Sequence, residues 1–455
     1  MINRIKGTRD YSSRELQYRQ DIINEFLQSC DLYGFNLIET PIFENASLFR
    51  RSVGGSDIVH KEMYEFKDKG GRDIALRPEG TAGFVRAMIE NKWYAPSDSD
   101  YAKVTKYAYY GPMFRYEQPQ KGRLRQFYQA GVESICPKTD LPNEFQDAEL
   151  IILANSILSN LDIDYQLKIN SIGDKESRER YQIVLKKYFE KYKDQLSEIN
   201  QERLQNNVLR ILDDKEDSQK SFVKKAPKIK DYLTDNSKNY FAKLLKILDD
   251  NGIEYKIDDS LVRGLDYYDE VVYEFVSDDE SAGSQATIIG GGRYSTLVKE
   301  LDGPDLYSSG WGMGLDRIID IYFSDLDDYA DGEDDDLPLS QSIDILVATS
   351  NSNRRNDFFN LVSQLRDKNL SVEFLFEAVK QKKIFDKAKK FKCRFLITDD
   401  EKEPNNLAVI KNLETNEKIH FNEKTYTGFE TVLEFINSYL LEYDDTDETD
   451  EEEDF

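Results

Sequence analysis

Eight consecutive residues, Leu261-Val262-Arg263-Gly264-Leu265-Asp266-Tyr267-Tyr268, set an arginine, a turn glycine and two adjacent phenols side by side. A guanidinium can bridge two anions bidentately. Two tyrosines can face a flat ring while their hydroxyls fix its polar edge. A surface strand with a turn would use the same residue types. Two other segments sharpen the reading. One carries Arg115 and ends in Glu133, and the other is Gly312-Met313-Gly314-Leu315-Asp316-Arg317. Together the three describe a site for a nucleotide and a small amino acid.

Within the segment ending at Glu133, positions 127, 129, 131 and 133 share one face of a strand by its period of two. Gln129 and Glu133 therefore point the same way, with Gly131 leaving space between them. A ligand there would meet an amide and a carboxylate, with Arg115 in reach; a polar solvent face fits the same spacing. The preceding loop offers Gln118, Gln120, Lys121, Arg123 and Arg125. Arginine, lysine and glutamine are the usual contacts to phosphates and base edges, although a solvated hairpin tip has the same composition. Glu79 and Thr81 flank Gly80 ahead of a helix, where a carboxylate and a hydroxyl could hold an ammonium group. A helix cap accounts for Thr81 equally well but not for Glu79. No GxxxxGK[ST] occurs, which excludes a P-loop, and Gly290-Gly291-Gly292 is not the dinucleotide fingerprint.

The elements that must position these groups follow from periodicity. Residues 15–33 read as a helix stopped by Gly34, and 35–40 as a strand closed by Pro41. A short strand at 74–77 leads to a helix from Thr81, its expected N-cap, through Ile89. Strands at 107–115 and 127–135 form a hairpin with a basic tip, followed by a helix at 143–161. The lysine-rich stretch 177–248 is helical and reads as an insertion of about 175–250. Strand character returns at 257–262, 270–276 and 286–289, and 310–322 reads as a glycine-rich turn followed by a helix bearing Arg317. This is an α+β pattern with a mixed, mainly antiparallel sheet over 1–324. Beyond an acidic linker at 325–342, strands and helices alternate over 343–441 as a separate α/β domain, ahead of an acidic tail at 442–455.

The net charge of −26 argues at first against nucleic acid. Two runs, 325–336 and 442–454, carry 18 of those charges and leave −8 over the rest, so a local basic patch stays open. Runs of that kind are solvated and disordered by composition. No stretch of 18 apolar residues is present, so no transmembrane helix is expected, and the first residues lack the apolar stretch of a signal peptide. Cys30, Cys136 and Cys393 stand far apart, as buried thiols in a reducing cytosol would. With only His60 and His420 besides, a structural zinc site is not expected.

In this order, the segments resemble the class II aminoacyl-tRNA synthetases and, within them, the histidine–tRNA ligase family. Tyr33-Gly34-Phe35 through Pro41 resembles motif 1, Gly111-Pro112-Met113-Phe114-Arg115 through Glu133 motif 2, and Gly312 through Arg317 motif 3. The histidine-specific pair resembles Leu261 to Tyr268 and Gly291-Gly292-Arg293-Tyr294. Arg77-Pro78-Glu79-Gly80-Thr81 and Pro119-Gln120-Lys121-Gly122-Arg123 add to it, and the resemblance runs from Lys6 to about Leu441.

The resemblance implies ligation of L-histidine to tRNA(His) through a histidyl-adenylate, with ATP as co-substrate and Mg²⁺ accompanying it. It implies that Arg115 holds the α-phosphate and Arg317 the γ-phosphate. Glu79, Gly80 and Thr81 would take the α-ammonium, with Gln129 and Arg115 nearby. Glu133 and Tyr268 would read the imidazole, and Tyr267 would line the pocket. Arg263 would bridge the histidine carboxylate and the α-phosphate, where related enzymes place a metal ion; no metal ligand is assigned to a side chain. Gln118, Lys121 and Arg123 would meet the tRNA acceptor end, and 343–441 would bind the anticodon. A cytoplasmic homodimer with motif 1 in its interface is implied. Such polar readout of a substrate can discriminate by about 10⁴ or more, so no editing domain is required. Three positions depart from the family: Gln118 stands where arginine is usual, leaving open the dependence on an extra 5′ guanosine. Tyr128 replaces a common histidine, and Trp311-Gly312 replaces a smaller pair. Rival readings are an idle histidine- or tRNA-sensing protein of the same fold, and another class II ligase. The histidine-sensing protein would lose the catalytic arginine and the C-terminal domain, the tRNA-sensing one would erode the ATP residues, and the segment 261–268 opposes another class II ligase.

Overall fold

The computed structural model describes residues 2–52, 62–94, 104–120, 122–138, 143–212, 214, 216–261, 267–277, 287–327, 343–400 and 407–444. Arg263, Gly264, Lys121 and the acidic tail from 445 lie outside them. The chain divides into two compact units, Met1–Glu333 and Asp334–Phe455.

The first unit begins with α1 (Ser13–Leu32), started by a capping box in which Ser12 and Glu15 satisfy each other's backbone amides. Its apolar face, Ile22, Ile23, Phe26 and Cys30, is buried. The main sheet has eight strands: β1 (Asn36–Leu37), β5 (Thr105–Phe114), β6 (Gln126–Pro137), β7 (Gln166–Gly173), β8 (Lys256–Ile257), β9 (Asp269–Val276), β10 (Thr287–Arg293) and β11 (Leu306–Gly314). Their order is β1-β5-β6-β11-β10-β9-β7-β8. Only the β1–β5 and β7–β8 pairs are parallel, so the sheet is mixed and mainly antiparallel. A small sheet of β2 (Phe43–Asn45), β4 (Asp73–Leu76) and β3 (Glu65–Lys67) leads into α3 (Thr81–Glu90).

Strand alternation divides the core. Ala130 and Val132 of β6, Val271, Tyr273 and Phe275 of β9, and Trp311 and Met313 of β11 face one layer. That layer contains α1, α4 (Glu144–Asn160), α8 (Asp235–Asp250) and α10 (Leu315–Asp327). The opposite face, with Tyr109, Val272 and Tyr294, packs against α2 (Ala46–Ser52), α3, α5 (Lys175–Glu190) and α9 (Ser295–Glu300). The 175–250 stretch is helical as expected, with α6 (Glu198–Asn206) and α7 (Ser221–Lys224) between α5 and α8. Its last helix inserts Tyr240, Leu244 and Leu248 into the first layer.

Several boundaries differ from the sequence reading. The strand expected over 35–40 keeps only Asn36–Leu37, the two residues that pair with β5, and of that expected over 257–262 only Ile257 is strand, in β8 with Lys256, while Val262 lies outside the described residues. The glycines at 310–314 are not a turn but central strand, and those at 290–292 lie in the adjacent strand β10, where the neighbouring strands lie too close for side chains. A Cβ on Gly291 would lie 2.5 Å from the Gly310 carbonyl oxygen. Thr81 is the first residue of α3 rather than its cap; Gly80 holds the N-cap position.

The second unit alternates strands and helices: β12 (Ile345–Val347), α11 (Arg355–Arg366), β13 (Val372–Phe374), α12 (Gln381–Lys390) and β14 (Phe395–Asp399). A hairpin of β15 (Ala408–Asn412) and β16 (Lys418–Phe421) and then α13 (Tyr426–Asp444) complete it. The five strands order as β13-β12-β14-β15-β16, parallel over the first three and antiparallel thereafter. The last helix runs to Asp444, past the end expected for this domain at 441.

Candidate active site

The second face of the main sheet carries a buried carboxylate wrapped in hydroxyls. Glu133 on β6 has no solvent exposure. Its Oε1 accepts from the Thr81 hydroxyl at 2.8 Å and from the Tyr109 hydroxyl at 2.9 Å. Its Oε2 accepts from the Tyr294 hydroxyl at 2.5 Å. Burial pushes the Glu133 carboxyl up to about 8, against the pull of those three donors. The Tyr109, Tyr267 and Tyr294 phenols are held well above their ordinary value, by burial first and by neighbouring acidic groups second.

Room for Glu133 comes from the neighbouring strand. Residues 310, 312 and 314 of β11 are glycines that pair with Glu133, Gly131 and Gln129. A Cβ on Gly310 would lie 1.9 Å from Glu133 Oε2, and one on Gly312 would lie 2.6 Å from Gln129 Nε2. Gln129 and Glu133 thus share a face as their spacing predicts. The space expected above Gly131 is taken, however. Tyr109, its cross-strand partner, lays its ring there, 2.6 Å from where a Gly131 Cβ would stand and 2.1 Å from a Gly80 Cβ.

Glu79 solves the end of α3. Its two oxygens accept from the Thr81 and Ala82 amides, both at 2.8 Å, satisfying two of the donors that a helix start leaves open. The carboxylate, not Thr81, is therefore the cap, and this frees the Thr81 hydroxyl for Glu133. Burial raises the Glu79 carboxyl, opposed by those two amides and by the charge of Arg115. Arg115, just past β5, donates Nε to the Pro78 carbonyl at 2.8 Å and lies 5.2 Å over the Phe127 ring. That links it to the turn bearing Glu79.

Tyr267 and Tyr268 enter from the start of β9. Their ring centroids are 4.9 Å apart, and Tyr267 lies 5.8 Å edge-on from Tyr294. A Cβ on Gly292 would meet the Tyr268 ring at 2.9 Å. Arg293 goes elsewhere: wholly buried, it pairs with Asp147 of α4 at 2.7 Å and also reaches Tyr240 at 3.2 Å. It is a tie between sheet and helix, while its neighbour Tyr294 serves the site.

Arg317 in the first turn of α10 donates to the Thr287 carbonyl and, at 3.4 Å, to that of Gly122 at the hairpin tip. Arg123 pairs with Glu117 at 2.9 Å, and Gln118 is exposed. Thus Glu79, Gly80, Thr81, Arg115, Glu133, Tyr267 and Tyr268 converge with Gln129 on one face, and Arg317 meets the tip of the loop. Arg263 and Lys121 lie outside the described residues. Tyr109 and Tyr294 were missed as Glu133 partners. An aromatic residue opposite Gly131 was the available signal, but it is visible only once the strand register is known. Among the described residues no group of three His, Cys, Asp or Glu side chains is placed to hold a metal ion, and no helix is long and apolar enough to cross a membrane.

Comparison with known proteins identifies the family and the fold. The family described as Histidyl-tRNA synthetase matches residues 7–318. A Histidine–tRNA ligase of Ureaplasma urealyticum is 41% identical over 424 residues, covering 92% of this chain and 96% of that protein. One of Lactobacillus delbrueckii subsp. bulgaricus is 43% identical over 373 residues, covering 81% and 84%. The crystal structure of apo S. aureus histidyl-tRNA synthetase superposes with a TM-score of 0.72 at 32% identity, over 93% of this chain and 97% of that one.

Proposed function

This chain belongs to the histidyl-tRNA synthetase family, and from that premise we propose that it joins L-histidine to tRNA(His) in two ATP-dependent steps. The observation that carries the reading is the wholly buried Glu133 held by three hydroxyls beside the Tyr267 and Tyr268 rings. Imidazole presents one donor and one acceptor nitrogen at a flat ring. Glu133 offers the acceptor and Tyr268 the hydroxyl, and an apolar side chain of similar size would leave both unpaired.

In the first step the histidine carboxylate attacks the α-phosphorus of ATP, forming histidyl-adenylate and releasing pyrophosphate. In the second the histidyl group passes to the terminal adenosine of the tRNA, releasing AMP. There is little covalent work for the protein, so positioning and charge neutralisation dominate. Arg115 takes the α-phosphate, Arg263 bridges it to the histidine carboxylate, and Arg317 takes the γ-phosphate. Glu79, Gly80, Thr81 and Gln129 receive the α-ammonium. Each Glu79 oxygen accepts one amide and keeps a further lone pair for that purpose. Mg²⁺ accompanies the outer phosphates of ATP. Gln118, Lys121 and Arg123 meet the acceptor end of the tRNA, residues 343–441 bind its anticodon, and the protein works as a cytoplasmic homodimer. The presence of Arg115, Arg263, Arg317 and the second unit favours this over an idle sensing protein.

The test is ATP–pyrophosphate exchange across twenty amino acids, with histidine alone expected to support it. Exchange with none would sink the enzyme reading, and exchange with another amino acid alone would sink the substrate. Arg263→Ala is expected to slow adenylate formation far more than it weakens ATP binding.

A further inference from the structure

The residues before α1 touch both elements that carry the phosphate-binding arginines. The Gly7 carbonyl accepts from the Arg125 amide at 2.7 Å, and the Arg125 carbonyl accepts from the Arg115 amide at 3.0 Å. Gly7 has φ +88°, and a Cβ there would lie 2.8 Å from both the Pro119 and Arg125 side chains. Only glycine fits that seam. Four residues on, the Tyr11 hydroxyl donates to Asp316 Oδ1 in the first turn of α10, and the other oxygen of Asp316 accepts from the Tyr128 amide at 2.5 Å. The β6–β11 ladder ends at the Gln129–Gly314 pair, so Asp316 takes up the next amide of β6 beyond the ladder. Arg9 adds a 2.6 Å bond to Asp320, and Arg19 lies 4.8 Å over the Tyr11 ring and 4.0 Å over the Tyr128 ring.

We propose that Gly7, Tyr11 and Asp316 form a positioning clasp that holds Arg115 and Arg317 in one frame for ATP. Tyr11 and Asp316 touch no reacting atom. They act because Asp316 precedes Arg317 directly and binds the residue before Gln129, while Gly7 anchors Arg125, the backbone hydrogen-bond partner of Arg115. Beyond the β6–β11 ladder the 115–125 loop and α10 otherwise meet through the 3.4 Å contact of Arg317 with the Gly122 carbonyl, and phosphate clamps lose steeply with small misplacement. The role rests on the ATP-binding reading of Arg115 and Arg317 given above.

Tyr11→Phe removes one hydroxyl and leaves the ring under Arg19. It is expected to raise the KM for ATP in histidine-dependent exchange roughly tenfold, equivalent to about 1.4 kcal/mol. The KM for histidine should move less than twofold, and the melting temperature should hold within a few degrees. Asp316→Asn should do the same, and Arg4→Ala, at an exposed pair with Asp10, should change nothing. Amide hydrogen exchange, measured on the same proteins without ligand, should quicken at Arg115, Arg125 and Tyr128 in Tyr11→Phe. Equal changes in both KM values, or unchanged exchange at those three amides, would overturn the clasp. A wild-type protein without any histidine-dependent activity would overturn the proposed function instead, and the amide measurement would still decide the clasp.

Discussion

Replacing Glu133 by glutamine separates the carboxyl's shape from its charge. In the empty site the carboxyl, pushed up to about 8 by burial, is mostly protonated at pH 7. Glutamine reproduces that neutral form: its carbonyl can keep the Thr81 and Tyr109 hydroxyls, and its NH₂ group turns the Tyr294 hydroxyl from donor to acceptor. The cost in stability at pH 7 is then that of rearranging a neutral hydrogen bond, about 0.5–1.5 kcal/mol. Histidine recognition loses more. The imidazole N–H gives up an ionised acceptor worth about 1.5–3 kcal/mol, so the KM for histidine should rise roughly ten- to hundredfold while the KM for ATP stays put. The pH dependence supplies a second readout. The folded carboxyl binds its proton up to pH of about 8 and the unfolded one only to about 4.5, so the folded protein holds more protons between those values. Its contribution to stability is complete below about 4.5 and is lost as pH rises through 8, by up to about 1.36 kcal/mol per pH unit. Glutamine has no such slope, so the variant should gain on the wild type as pH rises from 5 to 8 in urea denaturation. Parallel slopes in the two proteins, or a histidine KM within twofold of wild type, would refute the reasoning.

Tyr294→Phe takes one of the three donors from Glu133, so the carboxyl should rise further. The pH at which histidine KM begins to fall should move upward in a KM–pH profile, with stability little affected. Arg293→Met breaks a pair in which both side chains are fully buried, leaving Asp147 unpaired. Urea denaturation should show a loss of about 3–5 kcal/mol, largely recovered when Asp147→Leu is added. The folded fraction should keep its KM for histidine, because Arg293 faces α4 rather than the site.

Local pattern made much of this molecule legible. The apolar spacing of Ile22, Ile23, Phe26 and Cys30 marked α1, and the aromatic strand, basic loop and returning strand marked the β5–β6 hairpin. The period of two set Gln129 and Glu133 on one face. Glycines were where the reading failed. Gly310, Gly312 and Gly314 look like a turn in one dimension, since glycine permits turns. In the sheet they are a strand face kept bare so that Glu133 and Gln129 can lie across it. Thr81 looked like a cap because hydroxyls cap helices, yet Glu79 two residues earlier reaches the same amides.

The sequence by itself determined which groups exist, their order, and which share a strand face or a helix turn, because these depend on covalent spacing and backbone period. From these came the α+β and α/β units, the family resemblance, and the set Glu79, Thr81, Arg115, Gln129, Glu133, Tyr267, Tyr268 and Arg317. The tertiary structure alone decided who partners whom across strands. Tyr109 lies on Gly131, Tyr294 on Glu133, Arg293 on Asp147 and Tyr11 on Asp316. The physical reason is that such pairings depend on strand register and layer packing between residues from 22 to 305 positions apart, as the Tyr109–Gly131 register pair and the Tyr11–Asp316 bond show. Burial then sets the chemistry: the same carboxyl that would be an ordinary acid on a surface becomes, buried among three hydroxyls, a group pushed up to about 8.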